Sequence, residues 1–262
     1  MRLGLLIVVV IGILAVGLAG TRAGPHPQDD SPGAVSVAGV PRPIRPAFTP
    51  GRPEPLGSTR FLSRWATVRR PVIARRAPDP LSRVVASVPR RTPEGTVDIV
   101  RVLGHRAARR GRLWVRVAVA TLPNGRVGWV PRSALGGYGT VDTRLVVDRT
   151  HLTLTLLRRG RVVFRAPVGI GMRRWPTPRG HFYIRNRLTR YAGPTYGPLA
   201  FGTSARSVRL SDWPDGGFIG IHGTDRPRLI PGRVSHGCIR LRNADVVALA
   251  KRMPVGTPLT IR

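Results

Sequence analysis

The chain has 262 residues and a formal net charge of +32, from 44 Lys and Arg against 12 Asp and Glu. Lys251 is its only lysine, so the basic residues are nearly all arginines, and they are spread along the chain. An even spread fits a GC-rich genome as well as a polyanion-binding surface, so charge alone does not decide between them. The hydrophobic fraction of 42% allows a sizeable core, and a single cysteine excludes an intrachain disulfide.

The composition of the N-terminus predicts export. After Arg2, the residues from Leu3 to Thr21 carry no charge, and this length lies between a signal-peptide core and a membrane span. We therefore predict that residues 1–23 are a signal peptide or an N-terminal membrane anchor, and that the protein works in the cell wall outside the cytoplasm. Export and the lack of a recognised binding motif argue against a nucleic-acid partner. Contact with the membrane is expected only through this segment.

Two regions precede the last 120 or so residues. Residues 24–59 are rich in Pro, Gly and Arg without apolar periodicity, which predicts an extended linker. In residues 60–137, short apolar runs alternate with turns. The stretch from Trp114 to Val119 is predicted to be a strand, and Asn124-Gly125 predicts a hairpin. The stretches "LWVRV" and "NGRVGWVPRSAL" resemble a bacterial SH3-like domain. The resemblance implies a small β-barrel that binds wall peptides or acts as a spacer.

Residues 140–262 are again rich in predicted strands, and "GGYGT" (136–140) is interpreted as the joint before them. "HLTLTLL" alternates, "RRGR" turns the chain back, and "VVFRAPVGIG" is expected to pair with it. Residues 187–213 are predicted to be a long loop, which is uncommon unless functional. A helix is predicted over residues 243–253, with Asn243 as its cap.

Cys238 stands in "VSHGCIRL", two positions after His236. A thiol attacks as thiolate and needs a base, which either His236 or the more distant His222 could supply. If the strand "GFIGI", which His222 ends, lies beside the strand entering "VSHGCIRL", the imidazole and the thiol meet at neighbouring strand ends. Backbone N–H groups of Gly237 and Cys238 could then bind an oxyanion, and Arg240 could bind a carboxylate.

Two other interpretations of these residues stay open at this point. His222, His236 and Cys238 are all zinc-type ligands, but His-x-Cys is an awkward bite for one ion and the usual paired spacings are absent. Cys238 could also be an inert core thiol. The residues favour an exported acyl-transfer enzyme with a Cys/His pair, and we predict neither a metal nor another cofactor.

The segment "IHGTDRPRLIPGRVSHGCIRL" resembles the signature of L,D-transpeptidases with a YkuD-type catalytic domain. "TPRGHFYI", "YGPLAFG" and the closing "PVGTPLTIR" resemble further segments of that family, so the resemblance covers residues 140–262. It implies a β-sandwich with one clear helix and with the cysteine in a tunnel under a lid. The whole chain is then mainly β, with an SH3-like barrel before the catalytic domain.

The resemblance also implies roles for individual residues. Cys238 would be the nucleophile, His222 its general base, and the Gly223 carbonyl would orient that base. The implied oxyanion site consists of His236, Gly237 and Cys238, Ser235 would help to arrange it, and the implied substrate contacts are Arg240, Tyr196 and Gly220.

Family members cleave the bond before the terminal D-alanine of a peptidoglycan stem tetrapeptide and pass the acyl group from a thioester to an amine. Stem peptides are therefore the expected partners, carbapenem-type compounds the expected inhibitors, and anionic wall polymers a further partner suggested by the charge. Two alternatives remain: an L,D-carboxypeptidase, in which water resolves the same thioester, and a non-catalytic wall-binding protein.

Overall fold

A computed structural model describes residues 61–108, 111–189, 194–210 and 217–262. The predictions made for residues 1–23 and 24–59 lie outside the described residues. Within the described ranges, no helix has both the length and the apolar character needed to cross a membrane. All described residues fall in one compact unit, which contains two β-sheets.

The first sheet is built from the first seven strands in the order β3-β2-β6-β5-β4-β1-β7. The strands are β1 (Ser63–Val68), β2 (Val72–Arg75), β3 (Val84–Val88), β4 (Ile99–Ala107), β5 (Leu113–Ala118), β6 (Val127–Pro131) and β7 (Leu135–Val141).

The predicted hairpin joins β5 to β6, which pair antiparallel with Val115 opposite Val130. Gly125 has φ of +83° in the turn between them, a conformation that glycine adopts without a steric cost. A short 3-10 turn, Arg132–Ala134, follows β6. Alternating valines such as Val115 and Val117 are fully buried in the core of this sheet. That the sheet is an SH3-like barrel stays a prediction.

The second sheet has ten strands in the order β10-β9-β8-β17-β12-β13-β14-β16-β11-β15. Its strands are β8 (Thr143–Asp148), β9 (Thr153–Arg158), β10 (Arg161–Pro167), β11 (Gly169–Gly171), β12 (Gly180–Leu188), β13 (Ala200–Arg206), β14 (Phe218–His222), β15 (Gly232–Ser235), β16 (Ile239–Arg240) and β17 (Pro258–Ile261).

The turn predicted at "RRGR" joins β9 to β10, and Gly160 within it has φ of +82°. Leu154 and Leu156 of β9 are fully buried against a core that includes Phe201 and Leu249. The helix α1 (Asn243–Ala250) packs its buried side chains, among them Leu249, into the same core. The prediction of a mainly β, sandwich-like chain with one helix in its described part is confirmed.

The prediction of a long loop over residues 187–213 is wrong for the middle of that range. Residues Ala200–Arg206 form β13, which pairs on one side with β12 and on the other with β14. This strand was missed because both of its faces are largely covered, so "AFGTSAR" shows no alternation of apolar and polar residues.

Residues 136–140 were predicted to connect the two regions, but they form part of the strand β7, which pairs with β1. The chain passes from the first sheet to the second at Asp142, between β7 and β8. The helix is shorter than predicted and has Arg242 at its N-cap, with no capping hydrogen bond from a side chain. Asn243 therefore does not cap it.

The first sheet contacts the second through β12. Tyr183 donates from its hydroxyl to the carbonyl of Ile99 at 3.2 Å, and Arg185 forms an ion pair with Asp98 at 3.1 Å. These side chains are buried, so the contact is a polar layer shielded from water. The hairpin residue Asn124 adds two hydrogen bonds to the backbone of Arg206, at 2.7 and 3.0 Å.

Candidate active site

Strand pairing brings the predicted base and nucleophile together. β14 lies parallel to β16, with Ile221 opposite Ile239 and His222 opposite Arg240. Cys238 immediately precedes β16, so it lies level with Gly220 of β14. The neighbour of β14 is therefore the strand that follows Cys238, whereas the strand that leads into "VSHGCIRL", β15, pairs with β11.

The sulfur of Cys238 receives a hydrogen bond from the backbone N–H of Gly220 at 3.3 Å. A donor aimed at sulfur stabilises the thiolate relative to the thiol. A Cβ added to Gly220 would lie 3.8 Å from the sulfur and 3.8 Å from Cδ2 of His222. The thiol and the imidazole edge thus converge above Gly220.

His222 is held as a neutral imidazole. The residue is 3% exposed, and its Nδ1 lies 2.6 Å from the carbonyl oxygen of Gly223. Burial, helped by the positive charge of Arg240, lowers the pKa of His222 to about 4, and the Gly223 carbonyl and Asp225 only partly oppose this shift. A carbonyl accepts only, so Nδ1 carries the proton and Nε2 is left as the basic atom.

The surroundings of Gly223, whose carbonyl faces Nδ1 of His222, leave no room for a side chain. A Cβ there would collide with Oδ1 of Asn243 and lie 3.0 Å from the Cα of Gly197. That same Oδ1 accepts the backbone N–H of Thr224 at 2.9 Å. Asn243, which the sequence assigned to helix capping, instead fixes the turn after the base.

The turn before Cys238 is fixed by two hydroxyls. Ser235 accepts the N–H of Gly237 at 3.1 Å and donates to the carbonyl of Cys238 at 2.6 Å. Thr177, fully buried, donates to the carbonyl of Gly237 at 2.7 Å and accepts the N–H of Gly171 at 2.9 Å. Thr177 was missed as a site residue, although the segment "TPRGHFYI" that contains it was singled out.

Gly237 therefore differs from its predicted role. Its N–H is occupied by Ser235, so the N–H predicted to bind an oxyanion is already hydrogen-bonded within the turn. Its φ of +123° is one that L side chains rarely adopt, and a Cβ there would lie 3.0 Å from Cδ1 of Ile219. The structure requires glycine here for the backbone conformation of the turn.

His236 does not share the burial of His222. It is exposed, and its ring packs edge-on against Trp175 with centroids 4.2 Å apart. Tyr196 instead covers His222, with ring centroids 4.8 Å apart. In the part of the chain that the structure describes, no three His, Cys, Asp or Glu side chains are grouped as metal ligands would be.

A cavity of about 270 Å³ opens onto the sulfur. It is lined by Tyr196, His222, Ser235, His236, Cys238 and Arg240 among others. The Nε of Arg240 is buried and makes no hydrogen bond to any described group. Seven of the nine predicted site residues thus line this cavity or donate to the thiol within it, and the other two, Gly223 and Gly237, fix the turns beside it.

The chain is similar to known proteins. Residues 142–261 match the family model of the L,D-transpeptidase catalytic domain, YkuD. The Bacillus licheniformis protein named L,D-transpeptidase YkuD is 38% identical over 122 residues, which are 47% of this chain and 67% of that protein. The chain belongs to the L,D-transpeptidase family.

A second relative overlaps this chain over a smaller share of its own length. The Escherichia coli protein named L,D-transpeptidase YbiS is 33% identical over 137 residues, covering 45% of this chain and 44% of that protein. Among solved structures, L,D-transpeptidase 3 of Mycobacterium tuberculosis in complex with a faropenem-derived adduct is 15% identical with a TM-score of 0.39. That match covers 63% of this chain and 91% of the solved one.

The buried imidazole predicts how the rate depends on pH. Since the pKa of His222 lies near 4 rather than 6.5, the base stays neutral in mild acid. We expect kcat/KM for the free enzyme to hold down to about pH 5 and to fall with a midpoint near 4, because protonated imidazole cannot accept the thiol proton.

The measurement is a pH series of initial rates, with circular dichroism at each pH to exclude unfolding. His236→Gln is the control, because His236 is exposed, and it should leave the midpoint of the acid limb unchanged. A midpoint near 6.5 in the wild type would contradict the neutral, buried base.

Proposed function

We propose that this protein is a cysteine-dependent L,D-transpeptidase of the cell wall that acts on peptidoglycan stem tetrapeptides. Cys238 attacks the carbonyl before the terminal D-alanine, D-alanine leaves, and an amine of a second stem takes the acyl group. The observation that carries the proposal is the hydrogen bond from Gly220 to the Cys238 sulfur, beside a buried imidazole whose Nε2 is basic.

The first half of the reaction needs a thiolate and a place for the thiol proton. Neutral His222 accepts that proton at Nε2, and the Gly223 carbonyl stabilises the resulting imidazolium through Nδ1–H. The sulfur then forms a bond to the acyl carbon, the peptide C–N bond breaks, and the imidazolium returns its proton to the leaving amine of D-alanine. The product is a thioester at Cys238.

The donor peptide carries a carboxylate at its D-alanine end, and Arg240 is the cation among the described residues that line the cavity. A buried guanidinium nitrogen without a described hydrogen-bond acceptor is suited to such a carboxylate. Tyr196 covers the base and limits the access of water to it. We therefore assign Arg240 to donor binding and Tyr196 to closing the site above His222.

The test is to incubate the full chain with purified disaccharide-tetrapeptide and read the products by mass. A dimer that has lost one D-alanine supports the transpeptidase, whereas tripeptide alone supports the L,D-carboxypeptidase. In parallel, a carbapenem should add its mass to the intact protein at Cys238. No D-alanine release and no adduct would refute an enzymatic role and favour a wall-binding protein.

The proposal includes export through residues 1–23 and attraction of the +32 chain to anionic wall polymers. Exposed charges interact over roughly 10 Å at about 0.1 M salt, so adhesion to isolated wall material should weaken as salt rises. Fractionation of producing cells, followed by salt washes of the wall fraction, tests both points. Protein confined to the cytosol, or adhesion that does not change with salt, would contradict them.

A further inference from the structure

A carboxylate from the first sheet reaches a second cavity beside the nucleophile. Glu94 lies in the connection between β3 and β4 and lines this cavity together with Tyr196, His222 and Cys238. Residues 141–262 contain no glutamate at all, so the catalytic domain has no such side chain of its own to place there. The position of Glu94 therefore gives the first sheet a direct part in the site.

The loop that carries Glu94 is held by hydrogen bonds between its own residues. The N–H of Thr92 donates to the carbonyl of Thr96 at 2.8 Å, and the hydroxyls of the same two residues lie 2.8 Å apart. Gly95 donates back to the carbonyl of Thr92 at 2.9 Å and has φ of +80°. These contacts define the conformation of the loop tip.

Asn186 of β12 fixes this loop against the catalytic sheet. Its Nδ2 lies 3.0 Å from Oε2 of Glu94 and 3.0 Å from the hydroxyl of Thr96, while its Oδ1 accepts the N–H of Gly202 at 2.9 Å. Asn186 is only 4% exposed, so the anchor is shielded from competing water. The carboxylate is thus held through one oxygen at the wall of the cavity.

The two cavities that meet at the sulfur have opposite charges. Both are lined by Tyr196, His222 and Cys238. The larger cavity contains Arg240 and has no acidic residue among its described lining. The smaller one contains Glu94 and has no lysine or arginine among its described lining.

We propose that Glu94 is a specificity residue for the acceptor: its carboxylate binds the primary ammonium of the second substrate in the smaller cavity, opposite the donor carboxylate at Arg240. This inference rests on the proposed function, since it assumes a thioester at Cys238 that an amine resolves. It concerns the second half of the reaction only. In a chain with 44 basic residues, a cationic acceptor needs such a local anion to approach the sulfur.

The chemical step balances with the groups described. The bound ammonium loses one proton to water, and its nitrogen attacks the thioester carbonyl. The new C–N bond forms, the C–S bond breaks, and the electron pair returns to the Cys238 sulfur. The second proton of the nitrogen passes to Nε2 of His222 and from there to the thiolate, which restores the starting state.

The test compares wild type with Glu94→Gln, which keeps an acceptor for Asn186 and removes the charge. Two acceptors are supplied with disaccharide-tetrapeptide: the side-chain amine of a second stem, which is a cation, and methoxyamine, which is neutral. Transfer to the stem amine should fall about tenfold or more, as expected when a hydrogen bond to a charged group is lost. Transfer to methoxyamine and the rate of D-alanine release should change by less than about twofold.

Asp79→Asn is the matched control, because Asp79 is an exposed acid in the connection between β2 and β3, outside both cavity linings, and the charge change is identical. It should leave both acceptors unaffected. An equal loss with both acceptors, or unchanged transfer in Glu94→Gln, would overturn the proposal. A wild type that releases D-alanine without any amine product would overturn it too, whereas one that releases no D-alanine would refute the proposed function itself.

Discussion

Cys238→Ala should abolish thioester formation, carbapenem addition and turnover, since no other thiol exists in the chain. His222→Ala should lower kcat/KM by at least about a hundredfold, the usual effect of removing a general base from a reacting pair. The base is buried, neutral and anchored at the Gly223 carbonyl, so no exposed histidine can replace it. Rates of D-alanine release and intact mass with a carbapenem measure both effects.

The matched control is His236→Ala, two positions from the nucleophile. Its ring is exposed against Trp175, so this variant should retain more activity than His222→Ala. Cys238→Ala should still bind the tetrapeptide in calorimetry, because Arg240 and the cavity are intact. Near-normal turnover in either Cys238→Ala or His222→Ala would overturn the mechanism, and a larger loss in His236→Ala than in His222→Ala would move the base to His236.

The sequence predicted those parts of the site that are coded locally. The spacing of His222 and Cys238, with glycine beside each, indicated a Cys/His pair at strand ends, and the strands β14 and β16 do bring them side by side. The hairpin at Asn124-Gly125 was likewise visible, because glycine adopts the positive φ that such a turn requires. These features depend on neighbours in the chain.

Features that depend on distant partners were not predictable in the same way. β13 shows no periodicity, because neighbouring strands cover both its edges and its faces are buried. Thr177 acts on Gly237 across 60 positions, and Asn186 reaches Glu94 across 92. A threonine or an asparagine carries no local mark of such a role, so only the folded chain reveals it.

Removing one partner of the buried ion pair between Asp98 and Arg185 should strongly destabilise the described unit. Arg185 contacts both carboxylate oxygens, at 3.1 and 3.2 Å, and its guanidinium lies 4.1 Å from the ring centre of Phe218. Asp98→Asn leaves a guanidinium that stays charged and buried, so we expect a loss of about 3–5 kcal/mol in the free energy of unfolding. Thermal and urea unfolding of the full chain measure it.

Arg185→Met should behave differently, because the remaining carboxyl can neutralise itself. Burial raises the pKa of Asp98 and Arg185 opposes that rise, so losing Arg185 moves the pKa higher still. The folded variant then binds a proton that the unfolded chain releases, and its stability relative to wild type should recover as pH falls from neutral toward the ordinary carboxyl pKa of about 4. Asp98→Asn has no carboxyl at this position and should show no such recovery.

The control for an arginine-to-methionine change is Arg262→Met, since Arg262 pairs with Asp148 at 3.2 Å but its side chain is 70% exposed. Solvent screens such a pair, so this variant should lose less than about 1 kcal/mol. The double variant Asp98→Leu/Arg185→Met removes both charges and should be more stable than Asp98→Asn, because no unpaired ion remains buried. If Arg185→Met and Arg262→Met cost the same at neutral pH, the polar layer beneath β12 does not join the two sheets in the way that its geometry indicates.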